Sequence, residues 1–148
     1  MMMDAKDSKI LAELVGDGRK SIVDIASHLG LPRATVQDRL RRMMESGVIR
    51  KFVAIPDYSK IGKRVTAYVF VAFGGERRLS QRMLAEEIAK MPGVYEVSVI
   101  SGEWDILLKV RASTLEEIGN LVVDRLRSMS GVEKTETCVS FQTIKESF

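Results

Sequence analysis

The sequence contains few of the residues that most often build catalytic and metal sites. Among its 148 residues there is one cysteine and one histidine. Cys138 alone excludes an internal disulfide and a thiolate metal cluster, and His28 has neither a second histidine nor a nearby cysteine with which to bind zinc. We therefore predict no catalytic residues, no metal site and no cofactor.

The chain also lacks a long apolar run. Its longest run, near residues 65–73, is far shorter than the roughly 20 residues that a membrane-spanning helix needs. The Met-rich start is followed by Asp4, Lys6 and Asp7 rather than by the apolar core of a signal peptide. We expect a cytoplasmic protein of one or two small globular domains, with no membrane partner.

Residues 21–50 have the pattern of two helices joined by a tight turn. Ser21 can cap the first helix, with Asp24 three residues on, and apolar residues follow at helical spacing: Ile22, Ile25, Ala26 and Leu29. Gly30 suits a left-handed helix end, and Pro32 can stand only at or before the first turn of the next helix. A turn of this length is typical of a helix-turn-helix, and a preceding helix over 7–15 completes a three-helix domain.

The second of these helices separates an apolar stripe from a basic face. The stripe is Val36, Leu40 and Met43, and the polar face is Arg33, Gln37 and Arg41. Residues 31–51 carry six Lys or Arg against two Asp or Glu, whereas residues 65–148 carry a net negative charge. A merely solvated helix would not require this concentration, which indicates a double-stranded DNA site. The predicted DNA-contacting residues are Ser21, Arg33, Ala34, Thr35, Gln37, Asp38, Arg39, Arg41 and Arg42.

The stretch after this helix predicts a linker. Residues 48–55 are apolar and β-branched and end at Pro56, which indicates a linker strand, and residues 58–64 are polar, basic and glycine-containing. We assign a DNA-binding domain to residues 1–50, a linker strand and hinge to 51–64, and a second domain to 65–148.

The second domain has the element order βαββαβ. Strands are predicted over 65–73, 94–101, 105–112 and 132–144, and helices over 80–91 and after the cap residue Thr114, whose core face is Leu115, Ile118, Val122 and Leu126. The middle strands form a hairpin. Met-Pro-Gly-Val at 91–94 and Met-Ser-Gly-Val at 129–132 each close a helix and open a strand. The fold class is α+β, with a ferredoxin-like second domain.

In this arrangement both helices cover one face of the sheet and leave the other face bare. Strand 65–73 is apolar on both sides, so Tyr68 and Phe70 would lie on the bare face, together with whichever of the pairs Val97/Val99 and Val139/Phe141 share that side. A twofold partner that buries the same patch is the simplest cover. We predict a homodimer held by Tyr68 and Phe70.

The whole chain resembles the Lrp/AsnC (leucine-responsive, feast/famine) family of transcriptional regulators. The residues that carry the resemblance are Asp7, Ile10-Leu11, Ile25-Ala26, Gly30-Leu31, Thr35-Val36, Arg39, Arg42 and Gly47-Val48-Ile49 in the first half, and Gly62, Pro92-Gly93-Val94, Gly102, Asp105, Leu107 to Val110, Gly131-Val132 and Thr135 to Thr137 in the second. The sequence departs from the family pattern at Pro32, where a capping Ser is usual, and at Met43-Met44, where Leu-Glu is usual.

The resemblance implies dimers that assemble into tetramers or octamers, and a small effector, commonly an amino acid, bound between dimers beside the 101–105 turn. Residues alone also allow a plain hairpin turn there. An amino acid needs backbone N–H groups for its carboxylate and an acid for its ammonium. The predicted effector-binding residues are Gly102, Glu103, Asp105, Thr135 and Thr137, with Trp104 as an anchor between dimers.

Two other functions fit the same architecture. Siroheme decarboxylases resemble this family in both halves, but the lone His28 suits their use of histidine poorly. An amino-acid sensor that has lost DNA binding is the second alternative, and the intact face of Arg33, Gln37 and Arg41 argues against it. We therefore predict a regulator and not an enzyme.

Overall fold

A computed structural model of the chain describes residues 2–75 and 79–146. The chain divides into two units, Met1–Ile55 and Pro56–Phe148. The first unit contains α1 (Ala5–Gly16), α2 (Ile22–Leu29) and α3 (Arg33–Glu45). Seven side chains from these helices and the segment after them form its buried core: Ile10, Leu14, Ile25, Ala26, Val36, Met43 and Ile49. The predicted three-helix domain is confirmed.

Local capping fixes where the helices of the first unit begin and end. Asp4 caps α1 and completes a capping box with Asp7, so α1 begins earlier than predicted. The Ser21 side chain accepts a hydrogen bond from the Asp24 N–H, and Gly30 ends α2 at φ 63°. Pro32 stands at the N-cap of α3, where its missing N–H costs nothing.

The linker strand predicted over 48–55 is absent. Residues 50–57 have no regular secondary structure, although their β-branched side chains favour an extended backbone. A strand requires a neighbouring strand for its backbone hydrogen bonds, and none of the strands in the described part of the chain pairs with this segment. The prediction was wrong because side-chain preference does not supply that neighbour.

The second unit has the predicted order βαββαβ. Its elements are β1 (Val65–Phe73), α4 (Gln81–Ala89), β2 (Val94–Val99), β3 (Ile106–Ala112), α5 (Leu115–Asn120) and β4 (Val132–Val139). The sheet order is β2-β3-β1-β4, with every neighbouring pair antiparallel. The predicted β2–β3 hairpin is confirmed, whereas β4 ends five residues earlier than predicted. No helix within residues 2–75 and 79–146 is long and apolar enough to cross a membrane.

One face of the sheet carries the core of this unit. Ala67, Val69 and Val71 alternate along β1 and are fully buried against the helices. On the last helix, Ile118, Val122 and Leu126 are buried as predicted, but Leu115 is 59% exposed. The prediction for Leu115 was wrong: this residue is the first of α5, whereas Leu121, at the start of the π-helical turn Leu121–Arg125, belongs to the core.

The repeated Met-X-Gly-Val sequence has the same backbone role at both sites. Gly93 and Gly131 adopt φ values of 91° and 88°, and each opens a strand. A Cβ at Gly131 would lie 2.6 Å from Leu79 Cδ2, so the Leu79 side chain would have to shift, and the positive φ itself favours glycine there.

The other face of the sheet, here called the uncovered face, is less apolar than predicted. Strand register places Lys109 and Cys138 beside Tyr68, and Leu107 and Glu136 beside Phe70. In contrast, Val97, Val99 and Val139 pair with core residues and therefore lie on the helix-covered side. Phe141 follows β4 and is fully exposed. The predicted valine pairs do not extend the Tyr68 and Phe70 patch, because strand register determines which face each residue joins.

Candidate functional site

The exposed face of α3 is the first candidate site. Arg33, Gln37 and Arg41 are all exposed and recur every four residues, while Val36 and Met43 on the opposite side are completely buried. Ala34 is exposed and Thr35 is half-buried near the start of the helix. This helix therefore presents guanidinium and amide groups of the kind that bind guanine and adenine edges and phosphates.

Acidic residues on α3 hold two of its arginines at the surface. Arg41 Nη2 lies 2.5 Å from Asp38 Oδ1, and Arg42 Nη2 lies 2.9 Å from Asp38 Oδ2. Glu45 also pairs with Arg41, at 3.1 Å. The hydrogen bond from Arg41 lowers the pKa of Asp38, and the same bond raises the pKa of Arg41. All four side chains are about half exposed, so phosphates can replace these carboxylates at little cost.

Arg39, also predicted to contact DNA, is used inside the domain. Its Nη1 lies 2.7 Å from Asp4 Oδ2 and 2.8 Å from Asp7 Oδ1, and its side chain is only 16% exposed. The hydrogen bond to Asp7 is the main cause that raises the pKa of Arg39, followed by the bond to Asp4. Arg39 therefore ties the start of α1 to α3 and orients the exposed face, rather than belonging to it.

The Ser21 side chain, also predicted to contact DNA, is likewise used inside the domain. Its hydroxyl accepts from the Asp24 N–H at 3.1 Å and donates to Asp24 Oδ2 at 2.5 Å. The one donor of the hydroxyl and one of its acceptor lone pairs therefore serve the cap of α2. Its predicted contact with DNA would have to come from the exposed backbone at the start of α2.

The turn between β2 and β3 is the second candidate site. Gly102 adopts φ 121° and is exposed, as is Glu103, whose carboxylate has no hydrogen bond or ion pair with any described residue. Asp105 differs. Its Oδ2 accepts from the Phe73 N–H at 2.8 Å and its Oδ1 accepts from the Gln81 side-chain amide. Asp105 thus joins the end of β1 to the start of α4, and both of its oxygens are occupied.

The predicted effector threonines lie on a different strand from this turn. Thr135 and Thr137 of β4 pair with Val71 and Val69 of β1, and β1 in turn pairs with β3. Because β1 stands between β4 and β3, two strand spacings, roughly 9.6 Å, separate the threonines from β3. Among the described residues, no hydrogen bond joins Glu103 to either threonine.

One half of the uncovered face, here called the apolar half, contains Tyr68, Phe70 and Leu107 and lies beside this turn. Trp104 packs against Phe70 with ring centroids 6.0 Å apart, and Lys134 Nζ lies 4.9 Å from the Trp104 ring centroid. Tyr68 and Phe70 remain half-buried. Trp104, predicted as an anchor between dimers, packs on Phe70 of its own chain and enlarges the patch that Phe70 begins.

Comparisons with known proteins identify the class of each unit. Residues 3–50 match the family model described as winged helix-turn-helix DNA-binding, and residues 66–148 match the one described as Lrp/AsnC ligand binding domain. An uncharacterised HTH-type transcriptional regulator of Pyrococcus abyssi is 46% identical over 145 residues, covering 98% of this chain and 97% of the relative. The HTH-type transcriptional regulator FL11 of Pyrococcus horikoshii is 34% identical, covering 97% and 93%.

Solved structures show the same two-domain fold. An AsnC family regulator from Agrobacterium tumefaciens superposes with a TM-score of 0.90 at 27% identity, covering 98% of this chain and 94% of the other. A transcriptional regulator from Neisseria meningitidis, in complex with L-Met, has a TM-score of 0.90 at 24% identity, covering 99% and 94%. The helix-turn-helix unit and the ligand-binding unit together define a DNA-binding transcriptional regulator. The chain belongs to the Lrp/AsnC family.

The Asp4 and Arg39 contact should give the first unit a dependence on acid. The Asp7 N–H and then Arg39 lower the pKa of Asp4 from 3.8 to about 2. Because this folded-state pKa is below the ordinary value, the contribution of the Asp4 carboxylate is complete above about pH 4 and is lost as pH falls through about 2. We expect Asp4→Asn to lower the melting temperature at pH 6 and to reduce the further fall between pH 4 and 2.

Circular dichroism melts of both proteins across that range measure the effect. Glu116→Gln removes an exposed carboxylate from α5 and is the matched control, which should follow the wild-type curve. An Asp4→Asn protein whose melting temperature falls as steeply as that of the wild type would contradict this role for Asp4.

Proposed function

We propose that this regulator binds DNA as a homodimer through α3 and that an amino acid changes its assembly or its DNA affinity. The DNA-binding part of this proposal rests on the different environments of the polar side chains of α3. Arg39 is bound to Asp4 and Asp7, whereas Arg33, Gln37 and Arg41 remain on the exposed face. A dimer would present two such helices to major-groove half-sites one helical turn, or a multiple of it, apart.

The effector part rests on the turn at Gly102. A left-handed glycine permits close backbone approach, and the free carboxylate of Glu103 can accept an ammonium group. Asp105 keeps the turn in place through Phe73 and Gln81. Because Thr135 and Thr137 lie two strands away, we infer that a neighbouring chain completes the pocket, as in an assembly of dimers. The Neisseria structure with L-Met makes L-Met the first amino acid to test.

The dimer part rests on the apolar half of the uncovered face. Tyr68, Phe70, Leu107 and Trp104 form a continuous half-buried patch within one chain. A second copy would bury the same residues about a twofold axis. The same four side chains would then be buried in both protomers, and neither sheet would expose its apolar patch to water.

DNA binding through α3 predicts a steep dependence on salt. If each dimer neutralises about six phosphates, log K should fall against log[salt] with a slope of roughly −5. Arg41→Gln should make the slope shallower by about one or two units per dimer, since each protomer loses a phosphate contact. Fluorescence anisotropy with a labelled genomic fragment measures both slopes.

Arg39→Lys provides the control on the same helix. It keeps the charge but loses the shared contacts with Asp4 and Asp7, so the melting temperature should fall while the slope stays at the wild-type value. A flat salt response in the wild type would refute DNA binding through α3.

The effector proposal predicts different results for the two acids of the turn. Glu103→Gln should keep the melting temperature of the unliganded protein but lose the stabilisation by L-Met, or by whichever member of an amino-acid panel stabilises the wild type. The expected loss is about 2 to 5 kcal/mol of binding free energy, because an ammonium group would lack its acceptor. Calorimetric titration measures it directly.

Asp105→Asn separates holding the turn from binding the effector. This variant should melt at a lower temperature without ligand, since the Phe73 and Gln81 contacts weaken. A Glu103→Gln protein that binds the amino acid as tightly as the wild type does would disprove the role of Glu103.

The dimer proposal predicts that Phe70→Glu disrupts assembly. A carboxylate buried in the apolar patch without a partner costs several kcal/mol, so light scattering should report monomers or aggregates. Met83→Glu introduces the same charge at an exposed position on α4 and should leave the oligomer unchanged. An intact oligomer in Phe70→Glu would show that the dimer forms through another surface.

A further inference from the structure

Two cations lie close together on the other half of the uncovered face. Lys109 and Arg111 alternate on β3 with the buried Leu108 and Val110, so strand period places both on the side away from the helices. Arg111 is nevertheless only 4% exposed, and the Lys109 side chain is 11% exposed. Burial, and then the neighbouring Arg111, lower the pKa of Lys109. Such deep burial of two like charges is costly and requires a counter-charge.

Aromatic rings surround the guanidinium of Arg111. Its Cζ lies 3.6 Å from the Tyr58 ring centroid and 5.2 Å from that of Tyr95, and the two rings meet edge to face. The Nε of Arg111 is buried and has no hydrogen-bond partner among the described residues. The rings therefore fix the orientation of the guanidinium without using its hydrogen-bond donors.

Within residues 2–75 and 79–146, the only carboxylate that contacts both cations is that of Glu146. One oxygen, Oε1, lies 2.5 Å from Arg111 Nη2 and also contacts Lys109 Nζ. A single carboxylate oxygen thus serves two cations and leaves a residual positive charge. Glu146 follows residues 140–145, which have no regular secondary structure and include the exposed side chains Phe141 and Ile144. Few contacts therefore oppose its displacement.

An open cavity of about 430 Å³ adjoins this cluster. Besides Arg111, its lining includes three further cations, Lys63, Arg64 and Lys145, while its acidic residues are Asp57 and Glu146. Asp57 Oδ1 accepts from the Ser59 hydroxyl and N–H, and Lys60 Nζ lies 3.7 Å from its Oδ2. The cavity beyond Glu146 is consequently positive, and it is large enough for a small organic anion.

We propose that Lys109 and Arg111 bind one carboxylate of a small dicarboxylate, whose second carboxylate enters the adjoining cavity, and that Glu146 is a built-in competitor for this site. The bound Glu146 shows that the cations accept a carboxylate, and the fixed guanidinium favours that planar group. The cations that line the cavity favour a ligand with a second negative charge. This site lies on β3 and the 56–64 segment, apart from the turn at Gly102.

Calorimetric titration of the full-length protein with glutarate tests the proposal. We expect weak binding to the wild type and about tenfold tighter binding to Glu146→Gln, because the amide no longer competes as an anion. Butyrate, a monocarboxylate of similar length, should bind Glu146→Gln more weakly than glutarate does. Lys109→Gln should lose the glutarate response, and it avoids removing the buried Arg111, which the fold itself needs.

Glu116→Gln is the matched control, since it removes an exposed carboxylate elsewhere in the same unit and should bind glutarate as the wild type does. Equal glutarate affinities for the wild type and Glu146→Gln would overturn the proposal. Inorganic phosphate that binds Glu146→Gln as tightly as glutarate would overturn the choice of a carboxylate ligand. Both readouts are independent of DNA binding and of the amino-acid effector.

Discussion

The four-stranded sheet of the second unit is covered by helices on one face only, and the properties of that unit follow from this constraint. The covered face is a continuous apolar core, with Val69, Leu108 and Val110 completely buried. On the opposite face no helix removes the apolar side chains from water or neutralises the buried charges. The two halves of that face differ: Lys109 and Arg111 are neutralised in part by Glu146, whereas Phe70 packs against the Trp104 ring. The apolar half is therefore the one that benefits most from a second copy.

In the first unit, the partly buried Arg39 links two helices in a comparable way. Arg39 and Arg41 are two residues apart on the same helix, yet one is bound to Asp4 and Asp7 and the other is exposed. Helical phase accounts for the difference, because position 39 is three residues after Val36 and four before Met43, both of which are buried. The prediction that Arg39 contacts DNA did not take this phase into account, although the sequence already places Arg39 beside the buried stripe of α3.

The local parts of the fold could be predicted because local residues determine them. The cap at Ser21, the left-handed Gly30 and the paired turns at Gly93 and Gly131 depend on neighbours within a few positions. The linker strand and the role of Asp105 depended instead on distant partners. Asp105 bonds Phe73 and Gln81, which lie more than twenty residues away. Glu146 pairs with Arg111 at a separation of 35 residues, and strand alternation alone could only place Arg111 on the uncovered face.

The two candidate functions occupy separate units, which limits how one can influence the other. The proposed DNA contacts are on α3 of the first unit, and the proposed effector contacts are at the turn after β2 in the second unit. A ligand shifts an equilibrium only as far as it binds one state better than another. If a neighbouring chain completes the pocket, the states that differ are assemblies, because the pocket is complete only in the assembled state. DNA affinity then changes through the number and spacing of α3 helices that one complex presents to the double helix.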